Sequence, residues 1–169
     1  MRSERALRLS LAEMYIMGTS TRKVKQITEQ LCGLEVSSMQ VSRAMQELDP
    51  VLEQWRERAL GQTPYMFLDA RYEKVRQDGV VQDAAVLIAS GVEVSGQRRV
   101  LGVSVALGEH EVHWRTFLQQ LVARGLRGVH LITADAHEGL AAARRAVFGS
   151  VPYQRCQFHL QQNAQAYVP

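Results

Sequence analysis

The apolar pattern of the chain changes period at Pro64. Before it, apolar residues recur every three or four positions. After it come three consecutive runs rich in branched and aromatic residues, PYMFLDARYEKVR, VVQDAAVLIASGVEV and QRRVLGVSVAL, separated by Asp78-Gly79 and Ser95-Gly96. Such dipeptides mark hairpins, because glycine takes the positive φ that a tight turn needs. The three runs therefore predict an antiparallel meander. Beyond it helix and strand patterns alternate: EVHWRTFLQQLVARG, with Trp114, Phe117, Leu118 and Leu121 on one side and Gly125 at its end, then GVHLITAD, HEGLAAARRAVF, VPYQRC and QFHLQQNAQAY. Crossover helices make the later strands parallel to the first.

The first strand reads as buried on both faces until Asp69, where a carboxylate stands in place of another apolar side chain. An unpaired carboxylate in a low-dielectric site costs several kcal/mol. Asp69 therefore faces water at a strand end, pairs with a base such as Arg71 or Lys74, or binds a cation. The order βββαβαβα is that of a ribonuclease H-like sheet, with the first and fourth strands adjacent in the middle. Asp69 then becomes the neighbour of Asp135, at the carboxyl end of the fourth strand, where open α/β sheets gather ligands. Two carboxylates that close repel unless a divalent cation lies between them, and Mg²⁺ takes oxygen ligands of this kind. Asp135 also fits an Asp-x-x-Glu capping box with Glu138. Asp78 and Asp83 belong to the first hairpin as turn and surface residues.

Cys156 and His159 form a C-x-x-H at the start of the last helix. Structural zinc needs about four ligands, and no second pair has convincing spacing even if His137 approaches, so a packing or supporting role is expected rather than zinc. His110 and His113 are expected to face solvent, and His130 to sit in a strand.

The segment before Pro64 is helical. Leu7, Leu11, Met14 and Tyr15 form the stripe of a first helix over residues 4 to 17, closed by Gly18. Ser20 caps TRKVKQITEQLC, with Val24, Ile27 and Leu31 inward and Gly33 as its stop. Ser37 and Gln40 form a capping box opening SMQVSRAMQEL, with Val41, Met45 and Leu48 inward. Asp49 and Pro50 start a fourth helix through Trp55 to about Leu60, ended by GQTP. The second and third helices have helix-turn-helix spacing, which would show Ser38, Gln40, Ser42, Arg43 and Gln46 to a major groove and Arg22, Lys23 and Lys25 to phosphates. A helical bundle with a merely solvated polar face fits the same pattern. The division expected is a helical region over 1–60 and a sheet domain over 64–169.

With 169 residues, 46% of them hydrophobic, the chain can bury a real core. The net charge of +3 and pI near 9.1 hint only weakly at an anionic partner. The amino-terminal residues lack a signal-peptide core and no run spans a bilayer. With two distant cysteines, a reducing cytoplasm is expected and a membrane is not.

Three ordered segments, LDARYEKVR (68–76), ITADAHEGL (132–140) and QRCQFHLQQN (154–163), resemble the central motifs of the Mutator-type, IS256-like bacterial transposases. The resemblance spans nearly the whole chain and implies a DDE transposase with a helix-turn-helix unit and a partial ribonuclease H-like domain. It makes Asp69 and Asp135 the first two acids of the triad, holding Mg²⁺ or Mn²⁺, and Cys156 with His159 the family's C-x-x-H element. The implied partner is double-stranded DNA, both terminal repeats and target, with a homo-oligomer in the full-length enzyme and a bacterial, cytoplasmic setting. Gln162 departs from the family's usual Arg. Nothing after Glu138 is acidic, so the third acid, a glutamate on a later helix, is expected outside these residues and the chain is expected to be an internal piece. A truncated DNA-binding product acting as a regulator is the alternative function, and a ribonuclease H-like nuclease with another substrate is the third.

Overall fold

The computed structural model of the chain describes residues 2–33, 35–77 and 79–167. Asp78, of the first hairpin turn, lies outside them. The chain divides into two compact units, Met1–Glu57 and Arg58–Pro169.

The first unit holds α1 (Arg2–Ile16), α2 (Thr21–Cys32), α3 (Ser38–Gln46) and α4 (Asp49–Glu57). Leu11, Val24, Val36 and Val41 form its core, with Leu7 and Met14 packed against them. Ser20 Oγ accepts the Lys23 amide and starts α2, and Gly33, at φ 63°, ends it. Ser37 and Gln40 close a reciprocal capping box on α3: Ser37 Oγ accepts from the Gln40 amide at 3.2 Å and Gln40 Oε1 from the Ser37 amide at 2.8 Å. Two expected inward residues point out instead, Tyr15 and Leu31, the latter 78% exposed. Thr28 is buried in place of Leu31, which its hydroxyl tolerates because it donates to the carbonyls of Val24 and Lys25. Helix α4 stops at Glu57, short of Leu60.

The second unit is built on a five-stranded sheet in the order β3-β2-β1-β4-β5. Its strands are β1 (Tyr65–Gln77), β2 (Val80–Val92), β3 (Arg98–Ala106), β4 (Leu131–Ala134) and β5 (Tyr153–Arg155). The first three are antiparallel neighbours, whereas β4 runs parallel to β1 and β5 parallel to β4. This is the ribonuclease H-like order read from the sequence. Helices α5 (Glu111–Ala123) and α6 (Glu138–Phe148) supply the crossovers, and α7 (Gln157–Gln165) follows β5. His130 precedes β4 rather than lying in it, its amide donating to the Pro64 carbonyl at 2.8 Å. The segment before β1 is tied to the loop after α5, with Leu60 and Thr63 donating to the carbonyls of Arg124 and Arg127.

The core fills one face of the sheet only. Met66 and Leu68 of β1, Leu87 and Ala89 of β2, and Ile132 and Ala134 of β4 pack with Trp114, Leu118 and Leu121 of α5 and Leu140 of α6. The other face carries Tyr65, Val100, Val103 and Val105, all exposed. The expectation that β1 is buried on both faces therefore fails. A short apolar run looks the same whether one layer or two lies against it.

Strand β3 contains a bulge. Ala89 faces Gly102 but Ser90 faces Val100, so Leu101 is an extra residue without a partner. From Val103 on the open face, strict alternation would put Leu101 and Arg99 beside it. The bulge instead buries Leu101, at 2% exposure, and puts Val100 and Arg98 on the open face. Helix α5 crosses close above the next residue: a Cβ on Gly102 would lie 2.9 Å from Leu121 and 3.1 Å from Phe117.

Candidate active site around Asp69 of β1 and the end of β4

Asp69 follows Leu68, and Leu68 is the parallel partner of Ala134, the last residue of β4. Asp69 and Asp135 each follow one member of that last pair directly in sequence. On its other side Asp69 faces Ile88 of β2. Being on the open face, Asp69 keeps 62% of its side chain in solvent, so the cost of a buried charge does not arise. The basic residues weighed as its partners are engaged elsewhere: Arg71 pairs with Glu73, and Lys74 with Asp83 at 3.0 Å.

Asp135 is not the cap of α6. That position belongs to His137, which makes no side-chain capping bond. Asp135 Oδ1 accepts from the amide of Ala136 at 2.6 Å, and Asp69 Oδ1 from that of Ala70 at 3.0 Å. Each carboxylate thus has one oxygen turned to the following peptide. The backbone at Asp135 is pinned from β5, where the Tyr153 hydroxyl reaches the carbonyl oxygens of Ala134 (3.2 Å) and Asp135 (3.1 Å). Burial, and after it the nearby Asp135 charge, raises the Tyr153 pKa above its ordinary value. The Tyr153 ring lies under the Arg144 guanidinium, 4.6 Å from the centroid.

Cys156 occupies the N-cap position of α7, with its amide donating to the Ala134 carbonyl at 2.8 Å. One turn later His159 Nε2 comes to 4.0 Å from Asp69 Oδ1, while its Nδ1 is buried without a hydrogen-bond partner among the described residues. A cleft of about 310 Å³ gathers Asp69, Cys156 and His159 with Phe67, Thr133 and Arg98. Among the described residues no group of three or more His, Cys, Asp or Glu is placed to hold a metal ion. His110 is the N-cap residue of α5, its ring centroid 6.0 Å from that of His113.

In the helical unit, Arg22, Lys23, Lys25, Ser38, Gln40, Ser42, Arg43 and Gln46 are all exposed. Gln40 has its carbonyl oxygen committed to the capping box, and Ser42 Oγ donates to the Ser38 carbonyl at 3.0 Å. Arg43 and Gln46 stand in the last turn of α3.

Sequence reasoning missed Arg98, Tyr153 and Gly139. Arg98 reaches the cleft only through the bulge, which strict alternation hides. Tyr153 reads as an ordinary strand residue. A Cβ on Gly139 would collide with the Glu109 carbonyl oxygen and lie 3.0 Å from the Glu111 amide nitrogen. Gly139 therefore allows the first turn of α6 to touch the backbone entering α5.

The chain is 62% identical to the transposase for insertion sequence element IS406 of Burkholderia multivorans, over 98% of this chain and 43% of that one. It is 48% identical to the ISRM5 transposase of Rhizobium meliloti, over 99% and 42% of the two chains. It is 41% identical to the IS256 transposase in transposon Tn4001 of Staphylococcus aureus, over 99% and 44%. It thus spans less than half the length of these relatives. Among solved structures, the HTLV-2 integrase catalytic core in complex with magnesium is similar over 63% of this chain and 68% of that one, at 14% identity and a TM-score of 0.38. The model of the transposase Mutator family matches residues 1–169, and the chain belongs to that family.

Proposed function

We propose that the chain supplies the DNA-binding helices and two metal-holding acids of a transposase, which cleaves the ends of a mobile DNA element and joins them to target DNA. The observation that carries this reading is the parallel pairing of Leu68 with Ala134, each of which is followed directly by an aspartate, Asp69 and Asp135. Two oxygen donors on adjacent chain segments, each with one oxygen turned to a peptide N–H, offer their other oxygens to a hard ion. Mg²⁺ or Mn²⁺ held there supplies Lewis acidity and charge neutralisation for in-line displacement at a phosphodiester.

The chain's own groups orient that site. Tyr153 holds the backbone of Asp135, and His159 stands beside Asp69. Helix α3 presents Ser38, Gln40, Ser42, Arg43 and Gln46 to the major groove of a terminal repeat, and Arg22, Lys23 and Lys25 meet phosphates. Joining two element ends calls for more than one copy, hence a homo-oligomer of the full-length enzyme, acting in the cytoplasm where bacterial DNA lies. No helix among the described residues is long and apolar enough to cross a membrane.

The test is a nicking and strand-transfer assay with the full-length protein on terminal-repeat DNA. Metal-dependent cleavage that disappears in Asp69→Asn and in Asp135→Asn is the expected result. Cleavage that persists in either variant overturns the assignment of the acids, and no metal-dependent cleavage by the wild type overturns the function.

A further inference from the structure

We propose that Arg98 grips a phosphate of the DNA strand lying beside Asp69 and Asp135. This rests on the transposase reading and adds to it a residue for admitting the substrate. A phosphodiester brought to two carboxylates is repelled by both. A metal ion offsets that repulsion at one point only, so the strand needs a further cation along its path.

Arg98 is placed for this by the bulge. With Leu101 as the unpaired residue, β3 changes phase and Arg98, opposite Val92, comes to the open face of the sheet, whereas strict alternation would turn it toward the helices. Bulges commonly re-aim a side chain beside a site. The guanidinium carbon lies 4.7 Å from the centroid of the Phe67 ring. Phe67 precedes Asp69 by two residues on the same face of β1, a step of roughly 7 Å. Arg98 also lines the cleft that holds Asp69, Thr133 and His159.

Stacking on an aromatic face engages the plane of the guanidinium and leaves its edge, where the N–H donors lie, for an acceptor. A planar fork of donors suits the paired oxygens of a phosphate. Neighbouring Arg99 has a different task, since it pairs with Glu93 at 3.1 Å. If Arg98 served only to cover Phe67, a long apolar side chain would replace it without loss.

That contrast sets the experiment. The 169-residue chain is titrated with a fluorescent DNA duplex of terminal-repeat sequence in Ca²⁺, across a range of salt, using wild type, Arg98→Met, Arg98→Lys and Arg98→Ala. Arg98→Met keeps the stem over Phe67 and is expected to melt with the wild type. It should nevertheless bind roughly three- to tenfold more weakly near 0.1 M salt, with a log–log salt slope shallower by about one. Arg98→Lys should keep most of the slope. Wild-type slope and affinity in Arg98→Met overturn the proposal while leaving the transposase reading intact. So does a loss in Arg98→Ala that tracks its melting temperature and is absent from Arg98→Met. A wild-type chain that does not bind the duplex overturns both.

Discussion

Leu68 of β1 and Ala134 of β4 are partners in a parallel ladder, and the residue after each is an aspartate. Sheet register is what relates the two acids along β1 and after β4. They differ in surroundings: Asp69 lies on the open face beside His159, and Asp135 on a backbone held by Tyr153.

Removing one of these charges should change metal response more than stability. Mn²⁺ at tenfold excess over its dissociation constant stabilises a one-site protein by about 1.4 kcal/mol, a rise of roughly 3 to 6 °C for a chain of this size. Asp69→Asn should lose that rise. Without metal it should match or slightly exceed the wild type, within about 0.5 kcal/mol, because the side chain is 62% exposed. Thermal melts with and without Mn²⁺ check this, and an unchanged rise in Asp69→Asn would place the ion elsewhere.

Gly139→Ala should destabilise the second unit by about 1 to 3 kcal/mol, since the new methyl group meets backbone that must move. The displaced turn begins just after Asp135, so the Mn²⁺ response should fall as well. Gly61→Ala, which has open space around its Cβ, is the matched control and should be near neutral. Chemical denaturation of the two variants gives the comparison.

Tyr153 makes stability sensitive to alkali. Its folded pKa is raised above the ordinary 10.0, by burial first and then by the Asp135 charge. In the range between those two values the folded state binds more protons than the unfolded one. The contribution is therefore complete below pH 10, falls as pH rises through the unfolded value and is gone once the folded pKa is passed. Tyr153→Phe should remove this alkaline component and lose about 1 kcal/mol at neutral pH for the missing hydrogen bonds to the Ala134 and Asp135 carbonyls. Denaturation midpoints from pH 7 to 11 would show wild type and variant converging, and parallel curves would contradict the assignment.

Arg43→Ala should weaken binding to the cognate terminal sequence by about 1 to 3 kcal/mol, with a smaller effect on random duplex, if α3 reads base edges. Arg43 is exposed in the last turn of α3. Gel shifts at fixed salt measure the difference. Equal losses on both DNAs would make Arg43 a phosphate contact.

The sequence was most readable where one residue type has one physical use. Gly79 and Gly96 both take φ 82° in the two hairpins, and Ser37 with Gln40 closes the predicted capping box. Helices α5 and α6 followed from period, and the adjacency of the first and fourth strands from the βββαβαβα order. What stayed hidden depends on contacts between distant segments. The open face of β1 could not be told from a buried one by its own residues. Leu31 lost its inward place to Thr28 because a hydroxyl bonded to its own helix can be buried. The bulge at Leu101 left no mark in the alternation of β3, so nothing in the sequence singled out Arg98. The hydrogen bonds from Tyr153 to the carbonyls of Ala134 and Asp135 join β5 to the end of β4 and have no mark in the sequence of either segment.

The meander β1–β2–β3 joins neighbours in sequence, whereas β4 reaches β1 only after α5 has been made. Contacts between distant segments carry a loop-closure cost that local hairpins largely avoid. On the ribosome, the meander can therefore form while Asp69 still lacks Asp135, and the edge of β1 that will receive β4 stands open. A nascent chain at that stage can fold locally without yet having the second acid. The same open edge is then its most exposed surface for pairing with a second nascent chain from the same message. Slower synthesis through α5 and β4 should accordingly lower the yield of folded protein before it touches anything measured on the finished chain.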